Sequence, residues 1–346
     1  MTATTPSLSA QNHAATLEQA EPMRALLQSA YGSSDVLRLG TTARPTPGSG
    51  EVLVRVHAAG IDRGTWHLMT GRPYLMRLMG FGFFAPKQRV PGLDLAGTVV
   101  EVGPGVTRFR VGDEVFGIGN GSYAEFATAR ADKLALRPAT ISRDQAAVLG
   151  VSAITALQAL DKAALRVGER VLIIGASGGV GTYAVQIAKS LGVEVTAVCR
   201  GSKVEAVRAL GADQVIDYER ADFTDGSVRY DVILDVGGNT KLRRLRRALT
   251  PTGRLVFVGG ENGGDFTAGF ERQLLAFALA PFVKQRFIMM AAREEFESLE
   301  RVAALAEAGK LRALVDRSVG LAAVPAAIDS LVAGSVTGKI VVHPSA

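Results

Sequence analysis

The stretch VLIIGASGGVGTYAVQIAKSLG, residues 171–192, decides the fold. Its first four residues are a short apolar run of strand type. Val180, Ala184, Ile187, Ala188 and Leu191 then recur at helical spacing as a buried stripe, and Gly192 supplies a left-handed helix stop. Strand, glycine turn and helix in succession form the context in which a dinucleotide fingerprint works. Gly178 sits where backbone must approach a pyrophosphate, and Gly181 where helix and strand must pack closely. On the G-x-G-x-x-G template Ala176 occupies the first glycine's place, which is tolerable while its backbone stays out of the left-handed region. The unpaired N–H groups and partial positive charge of the helix N-terminus favour phosphate. Ala176, Ser177, Gly178, Gly179, Val180 and Gly181 are therefore read as a cofactor loop.

Outward from this loop the chain divides by rhythm. From about 150 to 290, strand candidates at 170–174, 193–199, 214–217, 231–236, 254–258 and 287–290 alternate with amphipathic helices, the pattern of a parallel doubly wound sheet. Before about 140 the period is two. EVLVRVHAAG (51–60) alternates with Val52, Val54 and Val56 on one face, and PGLDLAGTVVEVGPG (91–105) and RVGDEVFG (110–117) repeat the habit between Gly and Pro. This predicts a small antiparallel barrel or sandwich. TGKIVVHP, 337–344, is strand-like again and is expected to return to that first unit.

An acid about 20 residues past the loop marks an NAD site, where it bonds the ribose 2′-OH. Here the second strand ends in CRGSK, 199–203, with no acid and with Arg200 and Lys203 where a 2′-phosphate would lie. The expected cofactor is NADPH, with Ser202 beside the cations. Ser202 and Glu205 also spell a capping box, and Lys203 has a second reading as a solvated lysine.

Bulk composition narrows the partners. The chain has 346 residues, 47% hydrophobic and 21% charged, which is ordinary globular usage. Net charge is +6, and the densest basic run is KLRRLRRAL, 241–249. Leu242, Leu245 and Leu249 share one helical face there, so the arginines are read as its solvated side and nucleic acid as no partner. The apolar run 274–283 is too short for a bilayer and contains Pro281, so no membrane partner is expected. Residues 1–22 lack Lys and Arg and are read as a disordered tail, neither signal nor transit peptide. The single cysteine, Cys199, fits a reducing compartment, and a cytoplasmic location is expected.

The motifs AAGIDRGTWHLMTGRP (58–73), PGLDLAGTVVEVGPGV (91–106), GDEVFG (112–117), GSYAEFA (121–127), GASGGVG (175–181), LGADQVIDY (210–218) and TGKIVV (337–342) together resemble the medium-chain dehydrogenase/reductase superfamily. The resemblance covers residues 23–346 and points to the zinc-independent quinone oxidoreductase-like and alkenal/enone reductase branch. It implies an α/β fold: a GroES-like β-barrel catalytic domain with a Rossmann doubly wound parallel-sheet cofactor domain. The implied bounds are 23–146 for the first part of the catalytic domain, 147–287 for the NADP-binding domain and 288–346 for the return. Tyr218 would pack near the adenosine phosphate, and Gly237, Val258 and Gly259 would line the nicotinamide side.

Zinc-dependent relatives place Cys, His and Cys at points that here read Asp62, Leu93 and Val151 or its neighbour in LGVSA, and a catalytic zinc needs three such ligands. No metal is expected. His13, His57 and His343 are read as surface histidines. Without a Lewis acid, an acceptor that is already electrophilic remains reachable: a quinone, or the β-carbon of an α,β-unsaturated ketone or aldehyde. The resemblance sets Asp62 and Thr65 where the branch carries Asn and Asp, followed by Trp66 and His67. His67 stands in the place of a pocket tyrosine, either as a donor to an enolate or as a packed histidine with solvent supplying the proton. Asp62 would repel an enolate unless paired, for instance with Arg63. Trp66 is read as pocket wall or core. YLMRLMGFGFFAPKQRV, 74–90, is either a lid over a hydrophobic substrate or a buried helix and turn. LLAFALAPFVKQRF, 274–287, lines the same cleft or a homodimer interface. The other readings are an alcohol or aldehyde dehydrogenase and a non-catalytic, crystallin-like NADPH-binding protein.

Overall fold

The computed structural model describes residues 21–74, 77, 82–238, 240–260, 264, 266 and 269–346, so most of the expected tail, His13 and part of 74–90 lie outside the described residues. The chain opens with an antiparallel ribbon, β1 (Pro22–Leu27) and β2 (Arg38–Ala43). Then follow β3 (Glu51–Ile61), α1 (Arg63–Thr70), β4 (Asp94–Val102), β5 (Glu114–Ile118), β6 (Phe126–Arg130), β7 (Leu134–Leu136) and the short α2 (Arg143–Ala146). The strong alternation of β3 has a plain result. Val52, Val54 and Val56 are fully buried in the barrel interior, where Leu95, Val99 and Val115 meet them. Register shifts at 53/54 and 56/58 let this long strand pair β4 from Val52 to Ala59 and β6 along its first half.

The second unit begins with α3 (Gly150–Ala163) and runs through β8 (Arg170–Ile174), α4 (Gly179–Ser190), β9 (Glu194–Cys199), α5 (Val204–Arg208), β10 (Gln214–Asp217), β11 (Tyr230–Asp235), α6 (Leu242–Ala248), β12 (Leu249–Phe257), α7 (Phe270–Leu279) and β13 (Arg286–Met289). Among the described residues its six strands are all parallel, in the order β10-β9-β8-β11-β12-β13. Numbered within the unit this is 3-2-1-4-5-6, the doubly wound order with its switch point between the first and fourth strands.

The chain then crosses back. α8 (Phe296–Glu307) packs on both β7 and α3, β14 (Val315–Gly320) and α9 (Val324–Val332) follow, and β15 (Lys339–His343) closes the barrel sheet as β14-β15-β3-β4-β5-β7. The two units share one core: Ala58 and Phe116 of the barrel belong to the same buried cluster as α3, α4 and the parallel sheet. α3 is accordingly apolar nearly all round, as a helix between two layers must be. No helix among the described residues is long and apolar enough to cross a membrane.

The glycine loop behaves as its residues dictate, with one shift of detail. The left-handed turn is made by Gly175, φ 82°, so Ala176 keeps ordinary backbone and lies fully buried. Its N–H bonds the Val198 carbonyl at 3.0 Å. A Cβ on Gly181 would stand 2.2 Å from the Gly175 carbonyl oxygen and 2.7 Å from the Ala176 Cα, which explains the close helix–strand packing. Leu191 departs from the expected stripe: it caps the helix and is 44% exposed, because Gly192, φ 74°, already turns the chain away. The Ser202–Glu205 capping box does not form. Residues 201–203 make a 3-10 turn, α5 starts one residue later, and Glu205 pairs with Arg208 instead. Replacing Gly181 by Ala should destabilise the fold by about 1–3 kcal/mol, since both clashing groups are backbone; urea unfolding midpoints compare the variants.

Candidate functional site

A cavity of 1310 Å³ lies between the two units along the carboxyl ends of β8, β9 and β11, where the switch point of a doubly wound sheet places its ligand. It exceeds the usual few hundred to about 1,000 Å³ of a single small-molecule pocket, so it has room for a cofactor and an acceptor together. Ser177, Gly178, Gly179 and Val180 line it, whereas Ala176 and Gly181 serve the packing behind. Gly178 caps α4 with no side-chain bond, and a Cβ there would meet only the Gly175 carbonyl oxygen, at 3.5 Å. The first N–H groups of α4 have no intrahelical partner and open onto this space. An uncapped helix end, bare of side chain and bordered by open cavity, fits a pyrophosphate.

At one end of the cavity stand Arg200, Lys203, Tyr218, Arg220, Lys241, Arg243 and Arg244. Arg200 lies beside the Tyr218 hydroxyl, and its Nε is 3.4 Å from Glu219 without hydrogen-bond geometry, leaving a buried donor unsatisfied. Lys203 is differently occupied. It is 8% exposed, and its ammonium donates to the Gly334 and Val336 carbonyls at 2.8 and 2.5 Å, strapping the cofactor unit to the returning chain. Burial pushes its pKa down, with the Arg200 charge adding. Ser202 is exposed and does not line the cavity. The absence of an acid holds only for the strand end itself. Asp217 Oδ2 would lie 2.5 Å from a Cβ on Gly201, and Glu219 reaches Arg200, both from the end of β10. The basic run 241–249 is only partly a solvated face. Leu242, Leu245 and Leu249 are buried as expected, but Lys241, Arg243 and Arg244 rim the cavity, Arg244 pairing with Asp222 at 2.6 Å.

The other end receives Gly237, Val258 and Gly259 from the strand termini, and Asp62 and His67 from α1. Asp62 is the N-cap of α1. Its carboxylate accepts the Thr65 N–H at 2.7 Å and the Thr65 hydroxyl at 3.4 Å. Thr65 itself is buried behind the wall, and Trp66 packs on the barrel core with Arg63 over its ring at 5.4 Å. So α1 brings Asp62, Arg63, Gly64 and His67 to the cavity and turns Thr65 and Trp66 away from it. His67 is half-buried, its Nδ1 2.7 Å from the Arg72 carbonyl. That bond requires a proton on Nδ1, so Nε2 of a neutral His67 carries none. No described residue of 74–90 or 274–287 lines the cavity. Arg77 is held over the Tyr31 and Tyr74 rings, Phe83 and Phe84 are exposed, and Leu274, Leu275, Phe277 and Phe282 stand exposed beside the edge strand β13.

Three residues that the motif reading passed over complete this end. Lys339, 2% exposed, sets its ammonium 3.1 Å from Asp94 Oδ2 and 3.2 Å from Ser152 Oγ. Asp94 is fully buried and also accepts the Val151 N–H at 2.7 Å. Burial pushes the Asp94 carboxyl up to about 6, the Lys339 ammonium opposing this and the Asp62 charge adding to it. Lys339 lies in TGKIVV and Asp94 in PGLDLAG, but each stood in a strand pattern, and only the pairing across the sequence reveals a site.

The residues at the zinc-ligand points do not fit that metal. Asp62 is engaged as a helix cap, Leu93 is apolar, and Val151 contributes its N–H to Asp94. One carboxylate is short of the three donors a catalytic zinc takes. His57 and His343 are half-buried, on Thr98 and Asp144, remote from this cavity.

The family described as "Alcohol dehydrogenase GroES-like domain" matches residues 48–140, and that described as "Zinc-binding dehydrogenase" matches residues 210–342. The chain is 32% identical over 343 residues to the chloroplastic quinone-oxidoreductase homolog of Spinacia oleracea, covering 94% of this chain and 99% of the other. It is 29% identical to the 2-methylene-furan-3-one reductase of Solanum lycopersicum, covering 93% and 79%. A mycobacterial protein solved in complex with NADPH superposes with a TM-score of 0.78 at 26% identity, covering 93% and 100%. With the barrel, the 3-2-1-4-5-6 sheet and the glycine cleft between them, these likenesses settle the lineage: the chain belongs to the medium-chain dehydrogenase/reductase superfamily, in its quinone oxidoreductase-like branch.

Proposed function

We propose that the chain is an NADPH-dependent, metal-independent oxidoreductase that passes hydride to a quinone or to the β-carbon of an α,β-unsaturated ketone or aldehyde. The observation that carries this reading is the pairing of an open, phosphate-ready α4 N-terminus with a reaction end whose zinc-ligand points hold Asp62, Leu93 and Val151. The names of the spinach and tomato relatives support the acceptor class, and the mycobacterial complex supports the cofactor.

Each part of the chain has a task in this reading. The α4 N–H groups hold the pyrophosphate; Arg200, with its unsatisfied Nε, and Tyr218 take the 2′-phosphate. When bound, NADPH supplies the hydride. Val258 and Gly259 orient the ring at the strand ends. Asp62, fixed as a helix cap, bounds the acceptor pocket. His67 passes a proton to the acceptor from Nε2 in its doubly protonated form, since Nδ1 stays bonded to the Arg72 carbonyl. The single cysteine, buried at the end of β9, accords with a reducing cytoplasmic setting.

Oxidation of NADPH, followed at 340 nm with a panel of quinones and conjugated enones and with product analysis, tests the whole reading. Turnover with at least one acceptor is expected. A chain that binds NADPH and turns over none of them is a binding protein, and activity lost on chelation returns the zinc-dependent alternative. Arg200→Ala should weaken NADPH about tenfold relative to NADH, whereas Lys203→Met should leave that ratio unchanged and lower the unfolding midpoint instead. Titration of both variants with both cofactors measures this. His67→Ala should reduce kcat by on the order of 10²-fold with NADPH affinity unaltered. An unchanged kcat in His67→Ala assigns the proton to solvent.

A further inference from the structure

We propose that the loop 82–89 rests on an anionic membrane surface and so sets the acceptor end of the cleft against the bilayer from which a lipophilic quinone is taken. The uptake step rests on the acceptor class proposed above; the surface contact does not.

Phe83 and Phe84 are 58% and 87% exposed, the second being the highest value for a large apolar side chain among the described residues. Their rings meet edge to face with centroids 4.8 Å apart, and Ala85 beside them is exposed as well. Single apolar residues on a surface are ordinary, but a stacked aromatic pair presents contiguous apolar area to water and marks a contact.

The charge around the pair selects what it touches. Residues 63–93 hold five cations, Arg63, Arg72, Arg77, Lys87 and Arg89, and neither Asp nor Glu. Lys87 and Arg89 are exposed and make no ion pair with a described residue. Segment 28–40, joined to this loop by the bond from the Gln28 N–H to the Arg89 carbonyl, adds one acid, Asp35, and one cation, Arg38, and so leaves the excess standing. Exposed rings flanked by uncommitted cations suit the interface of an anionic bilayer, where the rings enter the headgroup region and the cations meet lipid phosphate. The lack of a bilayer-length helix among the described residues bears on crossing a membrane, not on resting at one.

The base of the loop is fastened to the reaction end of the cleft. The Tyr31 hydroxyl donates to the Gly82 carbonyl at 2.8 Å, and a Cβ on Gly71 would stand 2.7 Å from the Tyr31 ring. Arg77 donates to the Gly71 carbonyl at 2.9 Å and covers the same ring. Gly71 is the C-cap of α1, and its N–H bonds the His67 carbonyl. One turn of helix therefore separates this base from the side chain that α1 carries into the cavity. Phe83 and Phe84 do not themselves line the cavity, so their rings can meet lipid without leaving the site.

The experiment is co-sedimentation of the full chain, without cofactor, with vesicles of phosphatidylcholine alone and of phosphatidylcholine mixed with phosphatidylglycerol, at low and high salt. Binding to the mixed vesicles, weakened by salt, is expected. Phe83→Ser with Phe84→Ser should bind them about tenfold more weakly, and Lys87→Gln with Arg89→Gln should lose a similar factor. No vesicle binding by the wild type, or equal binding by both variants, overturns the contact. So does self-association that the phenylalanine variant abolishes while no vesicle is bound. Oxidation of NADPH then reads the uptake step. The phenylalanine variant should keep the wild-type rate with a water-soluble, short-chain quinone and lose about fivefold or more with a long-chain quinone held in the mixed vesicles. Equal rates of the two proteins on the vesicle-held quinone overturn uptake through this surface. Wild type that binds the vesicles and reduces no quinone in either form overturns the acceptor reading and supports the contact, which separates the two failures.

Discussion

The contact on which the rest depends is the hydrogen bond from the Gly338 N–H to the Ser177 carbonyl. It fastens a turn of the barrel onto the loop that faces the ligand, and the neighbouring residues repeat the fastening. Lys339 lies along Gly179, and Lys203 reaches back to the carbonyls of 334 and 336. A helix N-terminus that receives phosphate must leave its N–H groups unpaired, which is costly in a buried place unless the surroundings hold the loop rigid. Here the rigidity comes from outside the sheet. The cavity is therefore a property of neither unit alone.

Charge is arranged differently at the two ends of the cleft. The rim near β9 and β10 is rich in arginine, but Glu219 and Asp222 shadow it, so the field there is a set of pairs open to exchange rather than a bare cationic patch. The end near α1 holds two carboxylates, one ammonium and the Arg63 guanidinium. Asp62 is compensated by its place at a helix N-terminus, and Asp94 by Lys339. In the proposed reaction an acceptor that gains negative charge on reduction would lie between these groups, so the fixed partners of Asp62 would matter more to it than the bare count of acids.

Legibility followed the range of the physics. The strands of the parallel sheet were readable to within a few residues because apolar runs and glycines act locally, as at 170–174 and 214–217. The glycine loop was readable for the same reason, though the turn residue proved to be Gly175 and Ala176 an interior packing residue. What sequence spacing missed was long-range. Asp94 and Lys339 are 245 residues apart and look like strand residues until β4 and β15 are set on either side of β3. Asp217 and Glu219 escaped a search confined to the end of β9, since adjacent parallel strands bring their ends together regardless of chain order. Thr65 and Trp66, expected beside Asp62 and His67, face the other side of α1 because a helix turns about 100° per residue.

The placement of β15 bears on how the molecule is made. This strand sits between β3 and β14 in the barrel sheet, yet it follows the whole parallel sheet along the chain. As the polypeptide leaves the ribosome, only the end of β3, residues 59–61, lacks its partner across from β4, because β6 already covers residues 51–55, while the cofactor unit is made. Residues 338–343 both complete the barrel sheet and hold the glycine loop, so neither contact exists until this last stretch is made. Completion of one unit and maturation of the other's binding surface thus wait on the same stretch of chain in its biogenesis.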